Sequence, residues 1–189
     1  MLDRIDCIAR YQRKITSWPR AMSMLIVTIV LIVMYFQFIR PLEIYGAGAP
    51  HLDVRYAVGY THADVLEYFE TLGAEGRGFY ARTTLFDTVW PLCVGFCCAL
   101  WAPLAFRQSS WVVFASAPAV LFGVLDLAEN IGLWTMLFQY PEVSPIVAGA
   151  NNFITLSKQL MIPGWAIALP VLPIVAFIRR GKTAKKKDH

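Results

Sequence analysis

The stretch Ala119–Phe138, AVLFGVLDLAENIGLWTMLF, decides how the rest of the chain must fold. It is apolar and long enough to cross a lipid bilayer, which requires about 20 residues of helix. Asp126, Glu129 and Asn130 nevertheless lie near its middle, and their i, i+3, i+4 spacing places them on one face of a helix. An ionised acid at the centre of a span costs roughly 2.5–3.5 kcal/mol. This helix therefore predicts neighbouring helices that receive its polar stripe.

The composition is typical of a membrane protein. Hydrophobic residues make up 57% of the chain and charged residues only 16%, whereas soluble domains average about 45–50% and 25%. A soluble helical protein with a large core is the alternative. Nucleic-acid binding would require basic residues interleaved with exposed aromatic residues, a pattern that this sequence lacks, so we expect no nucleic-acid partner. The apolar blocks predict transmembrane helices at about 21–39, 83–106, 111–138 and 150–178.

We therefore expect an all-α, polytopic membrane protein, a four-transmembrane-helix bundle with a short amphipathic helix in its first loop. Residues 1–20 would form a basic, amphipathic N-terminal arm that Pro19 breaks before the first span. Residues 21–178 would form the membrane domain and residues 179–189 a basic tail. Because the first loop is acidic and Lys and Arg favour the cytosolic side, both termini are predicted in the cytosol or an organelle matrix. This charge pattern suits any cellular membrane.

The acidic first loop is predicted to contain one short helix. Thr61 followed by Asp64 is typical of a capping box, which opens a helix from His62 to Leu72 that Gly73 ends. We expect the apolar face of this helix to lie against the non-cytosolic end of the bundle. The residues of that face are Val65, Leu66, Tyr68, Phe69 and Leu72.

The sequence predicts no metal site and no cofactor. His51 and His62 lack the helical spacing of zinc ligands, and we interpret both as exposed loop histidines. The cysteines at positions 93, 97 and 98 lack the CxxC spacing of redox and metal motifs. We interpret them as small buried hydrophobic residues.

A polar cluster is predicted in the non-cytosolic leaflet, where spans two, three and four meet. Because ionisable residues inside a membrane generally pair with one another, Lys158 is expected to pair with Glu129 or Asp126. Asp87 is expected nearby, and Arg82 is a further candidate neighbour. The predicted members of the cluster are Asp87, Asp126, Glu129, Asn130, Asn151, Thr155, Lys158 and Gln159.

Three roles are open for this cluster: an interhelical lock, a hydrated or ligand-binding pocket, and a catalytic site. Pro91 and Pro163 free the carbonyls of Asp87 and Gln159, and open backbone inside a membrane is tolerated where it lines a cavity. Three acids also face one lysine, so either one acid is protonated or a cationic group comes from elsewhere. These features favour a protein that binds a membrane lipid or another amphiphile. The alternative is a non-catalytic accessory or assembly subunit of a larger membrane complex.

Two segments carry a family resemblance: Leu72–Pro91, LGAEGRGFYARTTLFDTVWP, and Asp126–Asn130, DLAEN. They resemble a family of small four-helix integral membrane proteins, mostly bacterial, that share an EGRxxY…D…P segment and a DxxEN segment. That family has no assigned activity, so the resemblance implies a topology and a set of residues but no reaction. Besides the cluster residues within these motifs, it implies four residues that we place at the membrane interface: Glu75, Arg77, Tyr80 and Arg82.

Overall fold

The structure, a computed structural model, describes residues 2–45, 52, 58–106 and 111–185. The regular elements in this part of the chain are helical, which confirms the predicted all-α class for the described residues. His51 and the last tail residues, 186–189, lie outside it. The helices are α1 (Leu2–Ile15), α2 (Trp18–Tyr45), α3 (His62–Asp87), α4 (Val89–Phe106), α5 (Trp111–Gln139), α6 (Pro145–Gln159) and α7 (Ile162–Lys185). Four segments are long and apolar enough to cross a membrane: Trp18–Gln37, His62–Phe106, Trp111–Gln139 and Pro145–Gly181.

The second apolar segment is helical well before residue 83. The predicted capping box at Thr61 and Asp64 is confirmed and opens α3. Gly73 interrupts the helix with a φ of 63°, a left-handed conformation that glycine adopts without a steric penalty. The chain then returns at once to helix, so residues 74–82, which we predicted as part of the first loop, are helical. Gly73 makes a kink between two helical stretches and does not begin a loop.

Two prolines lie beside helix boundaries, Pro163 at the start of α7 and Pro19 at the start of α2. The fourth apolar segment is divided between α6 and α7, and the interruption lies just before Pro163, whose ring nitrogen cannot donate a helical hydrogen bond. The interruption after the N-terminal arm lies at Thr16 and Ser17, so its prediction at Pro19 is wrong. Pro19 is in the first turn of α2, where a missing backbone N–H costs little because that donor has no helical partner.

The larger hydrophobic core lies between α2, α4, α5 and α7, with Val94, Trp101 and Phe122 among its buried residues. Small residues bring α4 and α5 close together. A Cβ atom at Gly123 would lie 2.8 Å from the carbonyl oxygen of Pro91, and one at Gly95 would lie 3.0 Å from that of Ala119. Such close backbone approach is a common way for helices to pack where the surroundings are apolar.

A second core forms where the first half of α3 packs on α5 and on the segment that precedes α6. The predicted apolar face of this helix is buried at Val65, Tyr68, Phe69 and Leu72, while Leu66 is partly buried. These side chains contact Leu133, Met136 and Val143. The helix therefore lies against one end of the other helices, as predicted.

The two basic ends of the chain lie at the opposite end of the molecule. Helix α1 packs on the ends of α4 and α5, and the Gln12 side chain donates to the Ser116 hydroxyl at 3.0 Å. Near the end of α7, the Arg180 guanidinium lies 4.7 Å from the centre of the Trp18 ring at the start of α2. The predicted polar cluster lies between this end and the second core.

Candidate binding site

Lys158, next to the last residue of α6, is the centre of the site. Its ammonium lies 3.0 Å from Oδ1 of Asp126 and also contacts Oε2 of Glu129. All three side chains are buried, and Glu129 is fully buried. Charges removed from water need such partners, because an unpaired buried charge is strongly destabilising. The predicted pairing of Lys158 with Glu129 or Asp126 is confirmed, and the lysine contacts both acids.

The buried face of α6 holds Glu129 from a second direction. Asn151, Thr155 and Lys158 all lie on this face, because an i, i+4, i+7 spacing places residues on one side of a helix. The Thr155 hydroxyl donates to Oε1 of Glu129, and the Asn151 amide donates to the Tyr60 hydroxyl at 2.8 Å. The Tyr60 hydroxyl in turn lies 3.5 Å from the Thr155 hydroxyl. One polar network therefore runs from Tyr60 to the Lys158 ammonium.

Tyr60 was missed from the sequence, because an isolated tyrosine ahead of a short helix gives no signal of its destination. Tyr60 as a whole is 5% exposed, and its backbone N–H donates to Oδ1 of Asn152 at 2.9 Å. The neighbouring Gly59 has a φ of 69° and leaves no room for a Cβ atom beside Asn152. These contacts pin the chain to α6 just before α3 begins.

On α5, Asp126 and Asn130 form the side of the cluster that faces α3 and α4. The Asn130 amide nitrogen donates to Oδ2 of Asp126 at 3.0 Å and to the Thr88 hydroxyl at 3.2 Å. Thr88 lies in the turn between α3 and α4. The two oxygens of Asp126 thus accept from different elements, one from Lys158 and the other from Asn130.

Asp87, the last residue of α3, completes the ionic cluster. Its side chain is 5% exposed, and its Oδ1 accepts a 2.7 Å hydrogen bond from the indole N–H of Trp90. Asp87, Asp126 and Lys158 line one cavity. The structure therefore brings the acids of α3 and α5 together beside the lysine of α6.

This cavity has a volume of about 130 Å³ and joins the ionic groups to the outer surface of the molecule. Helix α2 forms its outer wall, where Phe36 is 58% exposed. No residue of α2 was predicted to belong to the site. The remaining lining is apolar or aromatic and consists of Ile32, Tyr35, Phe36, Ile39, Trp90, Phe122, Ile162 and Trp165.

Four of these lining residues form a continuous aromatic wall. The ring centre of Trp90 lies 5.4 Å from that of Tyr35, 5.7 Å from that of Phe122 and 5.9 Å from that of Trp165. Phe122 and Trp165 are 5.2 Å apart. We call Tyr35, Trp90, Phe122 and Trp165 the aromatic wall. Of these four residues, only Trp90 could have been assigned to the site from the sequence, because it lies about one helical turn after Asp87.

Two residues implied by the family resemblance belong to the second core. Arg77 donates to the carbonyl oxygen of Phe69 at 2.7 Å, and its guanidinium lies 4.4 Å from the centre of the Tyr140 ring. The Tyr80 side chain is buried, with its ring centre 5.6 Å from that of Tyr68. They support the fold beside the cluster.

Three further predicted residues lie outside the cavity and outside the second core: Glu75, Arg82 and Gln159. Glu75 and Arg82 are exposed, and the Arg82 guanidinium lies 5.7 Å from the centre of the Phe79 ring. The structure therefore does not bring Arg82 into the cluster, because its position on α3 turns it outwards. Gln159 is half-buried and does not line the cavity.

The histidine and cysteine predictions have different outcomes. Cys97 and Cys98 are buried in the larger core, as predicted, and Cys93 is half-buried. His62 is not an exposed loop residue. It is half-buried at the start of α3, and its Nε2 lies 2.8 Å from the carbonyl oxygen of Val143. Within the described ranges, no group of three His, Cys, Asp or Glu side chains is arranged to hold a metal.

No protein-family model, no curated protein and no solved structure matches this chain. The resemblance of the segments Leu72–Pro91 and Asp126–Asn130 stays a prediction. Its residues Asp87, Asp126 and Asn130 do lie together in the site.

Proposed function

We propose that this chain is an integral membrane protein, a four-transmembrane-helix bundle that binds an amphiphilic molecule in the cavity beside α2. The head group would lie at Asp87, Asp126 and Lys158, and the apolar part would lie along α2. The observation that carries this proposal is the lining of the cavity, which is ionic at its inner end and apolar at its outer wall.

The surface of the helices supports a location in a membrane. Large apolar side chains are exposed along α2, including Ile26 at 57%, Val33 at 55% and Phe36 at 58%. The same is true of α5 at Val124 and Ile131. In water, contiguous exposed apolar surface of this extent is unfavourable, whereas lipid chains are a suitable solvent for it.

The distribution of charge supports an orientation. The basic helix α1 and the end of α7 that carries Arg179 and Arg180 lie at one end of the molecule. The acidic first half of α3 lies at the other end. Because cytosolic segments carry an excess of Lys and Arg, both termini would face the cytosol or an organelle matrix.

A ligand explains the arrangement better than an interhelical lock alone. A lock requires only that Lys158 and the acids satisfy one another between tightly packed helices. Here Asp87, Asp126 and Lys158 lie beside open space whose wall continues to the exposed ring of Phe36. A concave apolar site with a few convergent polar groups is typical of ligand binding.

The test compares Ile32→Trp, which fills the cavity from α2, with Ile29→Trp, a matched control on an exposed part of the same helix. Each full-length protein is extracted from its membrane in maltoside detergent and examined by native mass spectrometry. We expect the wild type and I29W to retain a bound amphiphile and I32W to lose at least nine-tenths of it.

Equal retention by I32W would contradict binding in this cavity. Purification without any bound amphiphile, together with stable recovery only in complex with other membrane proteins, would instead support the assembly-subunit function.

A further inference from the structure

We propose that the head group accepted by this cavity is a cation, the ammonium group of an amine or quaternary ammonium amphiphile. The inference rests on the proposed function, since it assigns a chemical class to the ligand of the same cavity. Three features carry it: the balance of charges at the inner end, the aromatic wall and the volume.

The inner end of the cavity has more acids than bases. Asp87 and Asp126 line it together with Lys158. Glu129 does not line the cavity but contacts the lysine ammonium. Among the residues that the structure describes, three carboxyl groups thus surround one ammonium at this cavity, and Arg82, the nearest basic residue along α3, is exposed over Phe79. Net charge in surroundings of low dielectric constant is unfavourable. A bound cation would reduce this excess, whereas a bound anion would increase it.

The aromatic wall supplies a second attraction for the same charge. Tyr35, Trp90, Phe122 and Trp165 all line the cavity, and they are in contact with one another. The negative face of an aromatic ring attracts cations, and tryptophan does so best. Cages of aromatic side chains are the usual means of recognising quaternary ammonium groups.

The volume limits what enters. A cavity of about 150 Å³ in another protein holds one benzene molecule, so about 130 Å³ holds a group of roughly six heavy atoms. This suits an ammonium with its substituents and excludes a whole lipid. The chain attached to the ammonium must leave the cavity past Phe36 and Ile39, which are apolar.

The experiment titrates the full-length protein in maltoside micelles with four amphiphiles that share one alkyl chain: dodecylammonium, dodecyltrimethylammonium, dodecanol and dodecyl sulfate. Maltoside is used because it contains neither an ammonium nor a net charge. Binding is followed by tryptophan fluorescence, since Trp90 and Trp165 line the cavity. We expect at least one cationic probe to bind at least tenfold more tightly than dodecanol, and dodecyl sulfate to bind more weakly than dodecanol.

Two variants test the two sources of attraction. Asp87→Asn removes a charge while its amide oxygen can still accept from Trp90, and it should weaken binding of the cationic probes at least fivefold more than binding of dodecanol. Trp165→Leu should weaken binding of the quaternary ammonium probe by a similar factor. Trp134→Leu is the matched control, because Trp134 lines a separate groove with Arg77 and Phe138.

Dodecanol or dodecyl sulfate binding as tightly as both cations would overturn the inference and leave the proposed function intact. Failure of all four probes to bind would contradict the proposed function itself. The probe series on the wild type decides between these results even if a variant does not fold.

Discussion

At the scale of single residues, the contacts of Lys158 explain how a stripe of acids can occupy the middle of an apolar helix. The lysine ammonium contacts Asp126 and Glu129, and the second oxygen of each acid accepts from a neutral side chain, Asn130 or Thr155. The desolvation cost of each charge is thus offset by a partner on another helix and by a further hydrogen bond. Removing one partner should cost more than removing them all.

We expect Lys158→Met to lower the free energy of unfolding by roughly 3–5 kcal/mol, because it leaves two acids buried without their cation. Combining it with Asp126→Asn and Glu129→Gln should recover much of that loss, since the amides keep acceptors for Asn130 and Thr155. Denaturation in mixed micelles measures the free energy of unfolding of the single and the triple variant. Lys14→Met, at an exposed position of α1, is the control and should change little. An unaltered stability of K158M would contradict the pairing.

At the scale of helices, the separation of α4 and α5 determines where the acids lie. Gly123 lies against the backbone of Pro91 and Leu92, one turn from Asp87. The same contact brings Trp90 to Phe122 and so forms part of the aromatic wall. Gly123 is therefore needed both for the close packing of α4 on α5 and for the shape of the cavity.

Gly123→Ala should destabilise the protein by about 1–3 kcal/mol, because its Cβ atom would lie 2.8 Å from a backbone oxygen that cannot rotate away. Gly78→Ala is the matched control. A Cβ atom there meets nothing within 4 Å, and alanine in a helix is favoured over glycine by roughly 0.5–1 kcal/mol. Thermal unfolding in detergent compares the two. Equal midpoints for G123A and G78A would show that the close contact is not needed.

At the scale of the whole molecule, the ionic cluster lies between two cores with different neighbours. The larger core lies towards the basic ends of the chain, and the second core towards the acidic first half of α3. This arrangement supports the proposed orientation, because each end of the molecule carries charge of one prevailing sign. Cys7 on α1 and Glu70 on α3 are exposed at opposite ends of the molecule, so chemical labelling at these two positions tests the orientation.

A maleimide that does not cross membranes should label Cys7 only from the cytosolic or matrix side. Glu70→Cys, made in a Cys7→Ser background, should be labelled only from the opposite side. Sealed right-side-out and inverted vesicles provide the two sides, and labelling after detergent lysis gives the total. Labelling of both positions from one side would contradict the orientation.

The sequence by itself determined the helical class, the apolar segments, the polar stripe of α5 and the pairing of Lys158 with at least one of the acids Glu129 and Asp126. These follow from local spacing and from the cost of burying a charge, and both act whatever the neighbouring helices are. Boundaries were less well predicted. Residues 74–82 continue as helix beyond Gly73, and the first interruption precedes Pro19, because each depends on backbone geometry at a single residue.

Only the tertiary structure decided which side chains surround the cluster. Tyr60 reaches Asn151 because the segment before α3 folds back onto α6. Tyr35 and Ile32 line the cavity because α2 packs on α4 at one particular rotation. An almost uniformly apolar helix such as α2 has no polar stripe to specify that rotation, so its facing residues are selected by the fit of its side chains to those of its neighbours.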